Sequence, residues 1–389
     1  LTKFPIEVKV LPSMDNIVNG VVSIDNIKHV GVVDILGRDT VAPKQKLLKR
    51  NIKGKNILIT GAGGSIGSEL SRQIMNLSPQ KIVLLDNSEF NLYTIHQELS
   101  SLLINVEIVP TLCTVTNYHQ LKSLINIHQI NTIYHAAAYK HVPMVELNVV
   151  SGAYNNIIGT YNVAKVADEL KVESMVLVST DKAVRPTNVM GASKRFSELV
   201  LQAFSNNSET CFSMVRFGNV LDSAGSVVPL FRKQIKEGGP VTVTHRNITR
   251  YFMTIPEAVQ LVLQAGAMAK GGDVFVLDMG EPIKIIDLAY KMIHLSGLTP
   301  IDNENPDGDI RIEYTGLRPG EKLYEELLIG NDVIQSEHPR IMQAKESTLS
   351  FENIISCIEI IKEAREKQDE RIVKELLLKY VDGYTSELI

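Results

Sequence analysis

Gly61-Ala62-Gly63-Gly64-Ser65-Ile66-Gly67 decides the fold. It follows a short apolar run, Asn56–Thr60 (NILIT), and opens a segment, Ser65–Leu77, with helical spacing of its apolar residues. Glycine at 61 permits a tight turn, a small residue at 63–64 lets backbone amides approach a pyrophosphate, and Gly67 lets the helix pack closely on a strand. Ser65 and Ile66 begin that helix, where free N–H groups and the helix dipole favour an anion. The next apolar run, Lys81–Asp86 (KIVLLD), ends in an acid nineteen positions past Gly67. A carboxylate there accepts both ribose hydroxyls of an adenosine. No Lys or Arg occurs from Ile82 to Leu121, so a 2′-phosphate would meet no cation, and NAD is favoured over NADP. A glycine turn alone is weak evidence, because such turns are common after strands. The flanking strand, helix and acid together outweigh a purely structural turn with a solvated Asp86.

Outward from this unit the rhythm continues. Val106–Val109, Thr132–His135 and Ser174–Ser179 read as short buried strands, with helical stretches such as Glu89–Leu103 between them. Alternating strands and helices, apolar on both faces, predict an α/β fold: a Rossmann-type doubly wound parallel sheet with ligands at the carboxyl ends of its strands. Ala136, just past Thr132–His135, falls at such an end and is assigned to the cofactor site. The expected domains are an extended leader at 1–50, an NAD-binding domain at 51–216, a smaller substrate-binding lobe at 217–345 and C-terminal helices at 346–389. The leader ends in a basic connector, Lys44 to Lys55. The lobe is partly built from returns to the sheet, and Pro256–Ala269 within it reads as a helix. Phe351–Lys367 and Asp369–Tyr380 carry apolar stripes that suit packing on the body or on a second subunit.

Composition removes other classes. The chain of 389 residues has 44% hydrophobic and 22% charged residues and a net charge of -4, which gives no basic face for nucleic acid. Cys113, Cys211 and Cys357 lie far apart, so neither a disulfide framework nor a metal site is expected, and a reducing compartment fits. No apolar run reaches the roughly 18 residues of a membrane span. The chain begins at Leu1, so a preceding anchor segment is an open possibility.

The chemistry points to Val178-Ser179-Thr180-Asp181-Lys182-Ala183-Val184, at a strand end, and to Met190-Gly191-Ala192-Ser193-Lys194, at a helix start. In short-chain dehydrogenases the second stretch reads Tyr-x-x-x-Lys, with both side chains on one helical face. There the lysine holds the nicotinamide ribose and lowers the tyrosine pKa. Met190 carries no proton. Either the site is silent, or Thr180, Asp181 and Lys182 supply a hydroxyl, a carboxylate and an amine in its place. A surface ion pair is the plain alternative, and it loses ground beside Lys194 and the glycine turn.

GAGGSIGSEL, LLDNSEFNLY, HAAAYKHVPMVE, VSTDKAVRPTNVMGASKR, RFGNVLDSAGSVVPLF, RYFMTIPEA and LRPGEKLYEEL together resemble the large bacterial polysaccharide-biosynthesis dehydratases, in particular their UDP-N-acetylglucosamine 4,6-dehydratases of protein-glycosylation pathways. The resemblance runs from about residue 6 to 345 and includes methionine in place of tyrosine. It implies an extended short-chain dehydrogenase/reductase fold and bound NAD. It also implies an N-terminal membrane region absent here, a place on the cytoplasmic face of the inner membrane, and a homo-oligomer. In the implied reaction, hydride leaves C4 of the sugar, a base takes the C5 proton, the C6 hydroxyl leaves as water, and hydride returns at C6. The implied product keeps its C5 configuration. Lys182 is assigned as the C5 base and Asp181 as the C6 acid, with Asp181 also able to serve C4 through Thr180. For the UDP end, Arg250 and Arg318 are assigned to the diphosphate, Asn219 to a phosphate and Glu321 to a uridine ribose hydroxyl. Lys140 is assigned to the sugar or the diphosphate. Cys113-Thr114-Val115-Thr116-Asn117 stands where the family has Gly-Asp-Val-Arg-Asp, so a backbone amide or Thr114 must replace an aspartate at the adenine. His245-Arg246-Asn247 departs too. Two other readings stay open: a UDP-sugar 4-epimerase, which normally keeps its tyrosine, and a catalytically silent NAD-binding sensor.

Overall fold

A computed structural model describes residues 41–102, 104–327 and 333–385, with two short strand segments at 9–10 and 28–29. Most of the leader expected at 1–50 therefore lies outside the described residues. Its end is not extended: Gln45–Arg50 is a helix with Leu47 and Leu48 buried. The basic connector ties down rather than links. The Lys44 amide donates to Gln264 at 2.9 Å, Arg50 to the Ala267 carbonyl at 2.6 Å, and Asn51 to the Gly266 carbonyl at 3.0 Å.

The chain forms two compact units. The larger comprises Val41–Gly218, Ile255–Met279 and the described residues from Pro319 onward. Its sheet has nine strands: β1 Asn56–Thr60, β2 Lys81–Asp86, β3 Glu107–Leu112, β4 Thr132–His135, β5 Ser174–Val178, β6 Cys211–Arg216, β7 Asp273–Leu277, β8 Val333–Gln335 and β9 Ile341–Ala344. The order across the sheet is β8-β9-β7-β6-β5-β4-β1-β2-β3. Strands β1 to β7 pair in parallel, and β9 pairs antiparallel with both β7 and β8. From β1 the chain winds out to β2 and β3, then returns to the other side of β1 as β4. That reversal is the switch point where a doubly wound sheet binds ligands, and the Rossmann-type expectation holds.

Strand residues serve both faces in turn. Met175 and Leu177 of β5 join a core shared with the helices Gly159–Glu169, Val189–Ser205 and Phe351–Lys367. Val176 between them faces the other way, where a Cβ on Gly266 would lie 2.5 Å from its Cγ2. That glycine lets the helix Ile255–Met268 settle on β5. The C-terminal helices pack on this body: Ile354, Ile358, Ile361, Val373 and Leu377 all belong to the same core.

The smaller unit takes Asn219–Thr254 and Gly280–Arg318, with the described residues before Val41. Ile310–Tyr314 is flanked in parallel by Val241–Val243 and Pro300–Ile301. Asn219–Val220 pairs with Phe252–Met253, and Thr249–Arg250 with Ile283–Lys284. Residues 217–345 are thus shared between the two units. Ile255–Met268 and β7 leave the expected lobe because their apolar surfaces, buried nearly all round, complete the large sheet and its cover.

Candidate active site

The glycines of the turn have separate tasks. Gly61 has φ of 66°, and a Cβ on it would lie 2.8 Å from the Ala137 backbone. On Gly63 a Cβ would meet Asn91 at 2.5 Å, and on Gly67 it would lie 1.9 Å from the Gly61 carbonyl oxygen. Gly63 and Gly67 therefore hold the turn against its neighbours, whereas Gly61 and Gly64 line a cleft together with Asp86, Cys113, Thr114 and Ala136. Ser65 and Ile66 open the helix Ser65–Met75. Asp86 is buried and braces the turn: Oδ2 accepts from the Gly63 amide and Oδ1 from the Ser88 amide, each at 2.9 Å. Each carboxylate oxygen accepts more than one hydrogen bond, so both keep capacity for a ribose hydroxyl. A cradle that side chains would fill, with an acid at its wall, fits the adenosine and pyrophosphate of a dinucleotide. The segment that departs from the family, Cys113-Thr114, forms part of this wall, and the Thr114 hydroxyl pairs with that of Thr116 at 2.9 Å.

Behind the cleft, His135 ends β4 with both ring nitrogens engaged: Nδ1 with Thr60 Oγ1 at 2.7 Å and Nε2 with Thr160 Oγ1 at 3.0 Å. Thr160 spends its single proton on the Asn156 carbonyl at 2.7 Å. It must therefore accept from His135, which fixes the Nε2–H tautomer and makes Thr60 the donor to Nδ1. Burial, aided by the Lys194 charge, lowers this imidazole to about 3 and keeps it neutral. Asn156 carries the network on, donating to Ser193 Oγ at 3.0 Å on the helix Val189–Ser205.

After β5, Asp181–Ala183 makes one tight turn capped by Thr180, whose Oγ1 accepts from the Lys182 amide at 3.3 Å. The same hydroxyl donates to Asp181 Oδ1 at 2.9 Å, and Lys182 Nζ reaches that oxygen at 3.1 Å. The three predicted groups are therefore in mutual contact. Asp181 is 1% exposed, and its Oδ2 has no hydrogen-bond partner among the described residues. A buried acceptor in that state is costly unless it holds a proton or meets a ligand. The helix Val189–Ser205 begins directly against this turn: a Cβ on Gly191 would lie 2.2 Å from the Lys182 carbonyl oxygen. Met190 is buried in the apolar core. Lys194 is also buried, and desolvation lowers its amine to about 8 against the raising effect of Glu198.

Two features escaped the sequence. One is Glu325, whose Oε1 lies 3.5 Å from Lys182 Nζ with a side chain 3% exposed. The other is a buried cluster beside Ser179. Burial alone would raise Glu198, but Arg216, Arg195 and Ser179 hold it down to about 2. Arg216 meets both Glu198 and Glu346, at 2.6 and 2.5 Å, and Arg195 meets Glu198 at 3.0 Å. Neither feature has a local sequence signature, because its members come from separate segments.

The proposed substrate ligands are divided. Lys140 lies exposed in the loop after β4, and Glu321 is half-buried; both belong to the larger unit. Asn219, Arg250 and Arg318 belong to the smaller one. Arg250 is buried there and donates to its neighbour's carbonyl, that of Thr249, at 2.7 Å. Among the described residues no cluster of acidic, His and Cys side chains suits a metal ion, and no helix is long and apolar enough to cross a membrane.

CapD, a capsular polysaccharide biosynthesis protein of Staphylococcus aureus, is 52% identical over 342 residues, covering 87% of this chain and 55% of CapD. The chain thus spans about half the length of that relative. A Campylobacter jejuni protein named UDP-N-acetylglucosamine 4,6-dehydratase (inverting) is 32% identical over 284 residues, 72% of this chain and 79% of its own. A UDP-glucose 4-epimerase of Rickettsia rickettsii is 32% identical over 293 residues, 74% and 81%. The X-ray structure of Pen from Bacillus thuringiensis superposes with a TM-score of 0.66 at 33% identity, covering 77% of this chain and 90% of Pen. Residues 57–346 match the family described as polysaccharide biosynthesis protein, and the chain belongs to that family.

Proposed function

We propose that the chain catalyses the NAD-dependent 4,6-dehydration of UDP-N-acetylglucosamine to UDP-2-acetamido-2,6-dideoxy-xylo-hexos-4-ulose. The observation that carries this reading is the Thr180–Asp181–Lys182 constellation. It is a hydroxyl, a buried carboxylate and an amine in contact, beside a helix whose usual phenol is Met190. When bound, NAD supplies an acceptor for the C4 hydride and returns that hydride at C6. Gly61, Gly64, Asp86 and Ala136 would hold its adenosine and pyrophosphate, and Lys194 its nicotinamide ribose. Thr180 passes the C4 hydroxyl proton to Asp181, since Met190 has none to exchange. Lys182 then removes the C5 proton, and Asp181 protonates the departing C6 hydroxyl. Return of the proton by the same Lys182, to the same face, retains the C5 configuration. Arg250, Arg318, Asn219 and Glu321 would bind the UDP moiety, and Lys140 the sugar or diphosphate. The product would be the first intermediate toward a diacetamido-trideoxy sugar for protein glycosylation.

A 4-epimerase is the second reading, supported by the relatives that bear that name. It requires no acid and base at C5 and C6, so the Asp181–Lys182 pair would stand idle. Incubation of the purified chain with UDP-N-acetylglucosamine and NMR of the product separates the two. A 4-keto-6-deoxy sugar is expected. A 4-epimer would replace the dehydratase reading, and no turnover would favour the silent NAD-binding protein. The C5 proton couplings in the same spectrum report retention or inversion.

A further inference from the structure

Lys182 works as a C5 base only as a neutral amine, yet it sits against the Asp181 carboxylate, which favours the ammonium. Glu325 offers the way out. Its carboxylate lies on the Lys182 amine at 3.5 Å, and both Glu325 and Asp181 are almost wholly buried. The segment that bears it is fastened to the catalytic helix cap. The Gly320 carbonyl accepts from Thr187 Oγ1 and Asn188 Nδ2, each at 3.0 Å. Gly320, with φ of 72°, comes so close that a Cβ would lie 2.8 Å from that of Asn188. Lys322 Nζ donates to the Val184 carbonyl at 2.9 Å, on the far side of the Lys182 turn. Glu325 is thus delivered to Lys182 by three anchored contacts.

We propose that Glu325 is the proton partner of Lys182: it takes the ammonium proton when Asp181 becomes protonated, and gives it back at the end of the cycle. This rests on the dehydratase reading above. The cycle starts from the two ion pairs of Lys182, with Asp181 at 3.1 Å and Glu325 at 3.5 Å. Loss of the C4 hydroxyl proton to Asp181 removes that carboxylate's charge and leaves the Glu325 carboxylate on the ammonium. In a buried site two neutral partners then compete well with an ion pair, so the proton passes to Glu325 and the amine is freed. Lys182 takes the C5 proton, the C5–H and C6–O bonds break, the C5–C6 double bond forms, and the Asp181 proton departs with the C6 hydroxyl as water. When hydride adds at C6, Lys182 returns its proton to C5 and recovers the one held by Glu325. The C4 hydroxyl proton leaves in the water, and every other proton is restored. Glu325 acts through Lys182 and is a positioning residue.

Arg185 pairs with Glu326 at 3.4 Å, Glu146 accepts from the Val189 amide, and Lys194 lies on the helix behind. Asp181 and Glu325 are the carboxylates that pair with the Lys182 amine, at 3.1 and 3.5 Å.

The test compares Glu325→Gln and Glu325→Asp with the wild-type protein in deuterated water, across pH. Without an acceptor, Lys182 must lose its proton to solvent. The kcat of Glu325→Gln should fall at least tenfold at pH 7 and recover roughly tenfold per pH unit toward the lysine pKa of ~10.4. Deuterium entry at C5 should fall in step. Glu325→Asp should keep part of the rate without that slope, and thermal unfolding should stay close to wild type for both. Wild-type kcat in Glu325→Gln, or a loss that does not depend on pH, overturns the proposal. Failure of the wild-type protein itself to dehydrate the sugar removes the dehydratase reading instead, and the proposal with it.

Discussion

At the scale of single residues, the protein keeps an amine where water does not reach. Lys194 has lost solvation, and its amine falls from 10.5 to about 8. The unfolded chain therefore binds more protons than the folded one between those values, and stability rises as pH climbs through that window. Below pH 8 the desolvation cost is felt in full, at roughly 3 kcal/mol by the size of the shift. Lys194→Met should then unfold at a higher temperature than wild type at pH 7, and the advantage should vanish near pH 10. An equal Tm at pH 7 would mean that the amine is not desolvated. The glycine turn and the contacts within Thr180–Lys182 were legible in the sequence because each is a local pattern, and Asp86 because it ends the strand that follows the turn. Glu325 was not. It reaches Lys182 from a distant coil through the Gly320 contacts, and no periodicity relates the two. Nor could spacing reveal that Gly63 and Gly67 serve packing while Gly64 faces the cleft, since that depends on where Asn91 and the Gly61 carbonyl lie.

At the scale of elements, the site depends on where the helix Val189–Ser205 begins. Asn188 caps it, accepting from the Gly191 amide at 2.8 Å while donating to the Gly320 carbonyl at 3.0 Å. Loss of an N-cap costs about 1 kcal/mol. Asn188→Ala also leaves the Gly320 carbonyl with one donor fewer, so a loss of about 2 kcal/mol in urea unfolding is expected. Ser350→Ala removes the exposed cap of Phe351–Lys367 and should cost no more than about 1 kcal/mol, without touching activity. Gly191→Ala is the sharper probe. A methyl group 2.2 Å from the Lys182 carbonyl must push the helix start away from the turn. A misplacement of about 1 Å can cost 10²-fold in rate, so kcat should drop by about that factor while the circular dichroism spectrum is retained. The strands from Asn56–Thr60 to Ser174–Val178 were readable as bounded apolar runs, with ends within a few residues, whereas Cys211–Arg216 and the later strands of the sheet were not. The helix Gln45–Arg50 was not, because its short basic sequence is held by the helix Ile255–Met268 rather than by its own pattern.

On the scale of the molecule, the larger unit is knitted by charges as well as by apolar packing. Arg195 and Arg216 share Glu198 and Glu346, which joins the end of β6, the helix Val189–Ser205 and the segment after β9. With two of each sign the cluster is balanced. Removing one member leaves a buried charge without its partner, a change that costs about 3–5 kcal/mol. Glu346→Ala should lower urea stability by that amount. A loss under 1 kcal/mol would show that the cluster is hydrated. This long-range closure was beyond the sequence, which read only that residues 217–345 return in part to the sheet. Asp273–Leu277 was not read as a strand, and no local pattern tells which sheet receives it.

The central claim, that Asp181 and Lys182 move the protons a tyrosine would otherwise move, is tested most directly by turnover of UDP-N-acetylglucosamine in deuterated water. For the wild-type protein the account predicts a 4-keto-6-deoxy product carrying deuterium at C5. Lys182→Met should lose both product and label, and Asp181→Asn should lose elimination of water. Undiminished dehydration in either variant would contradict it.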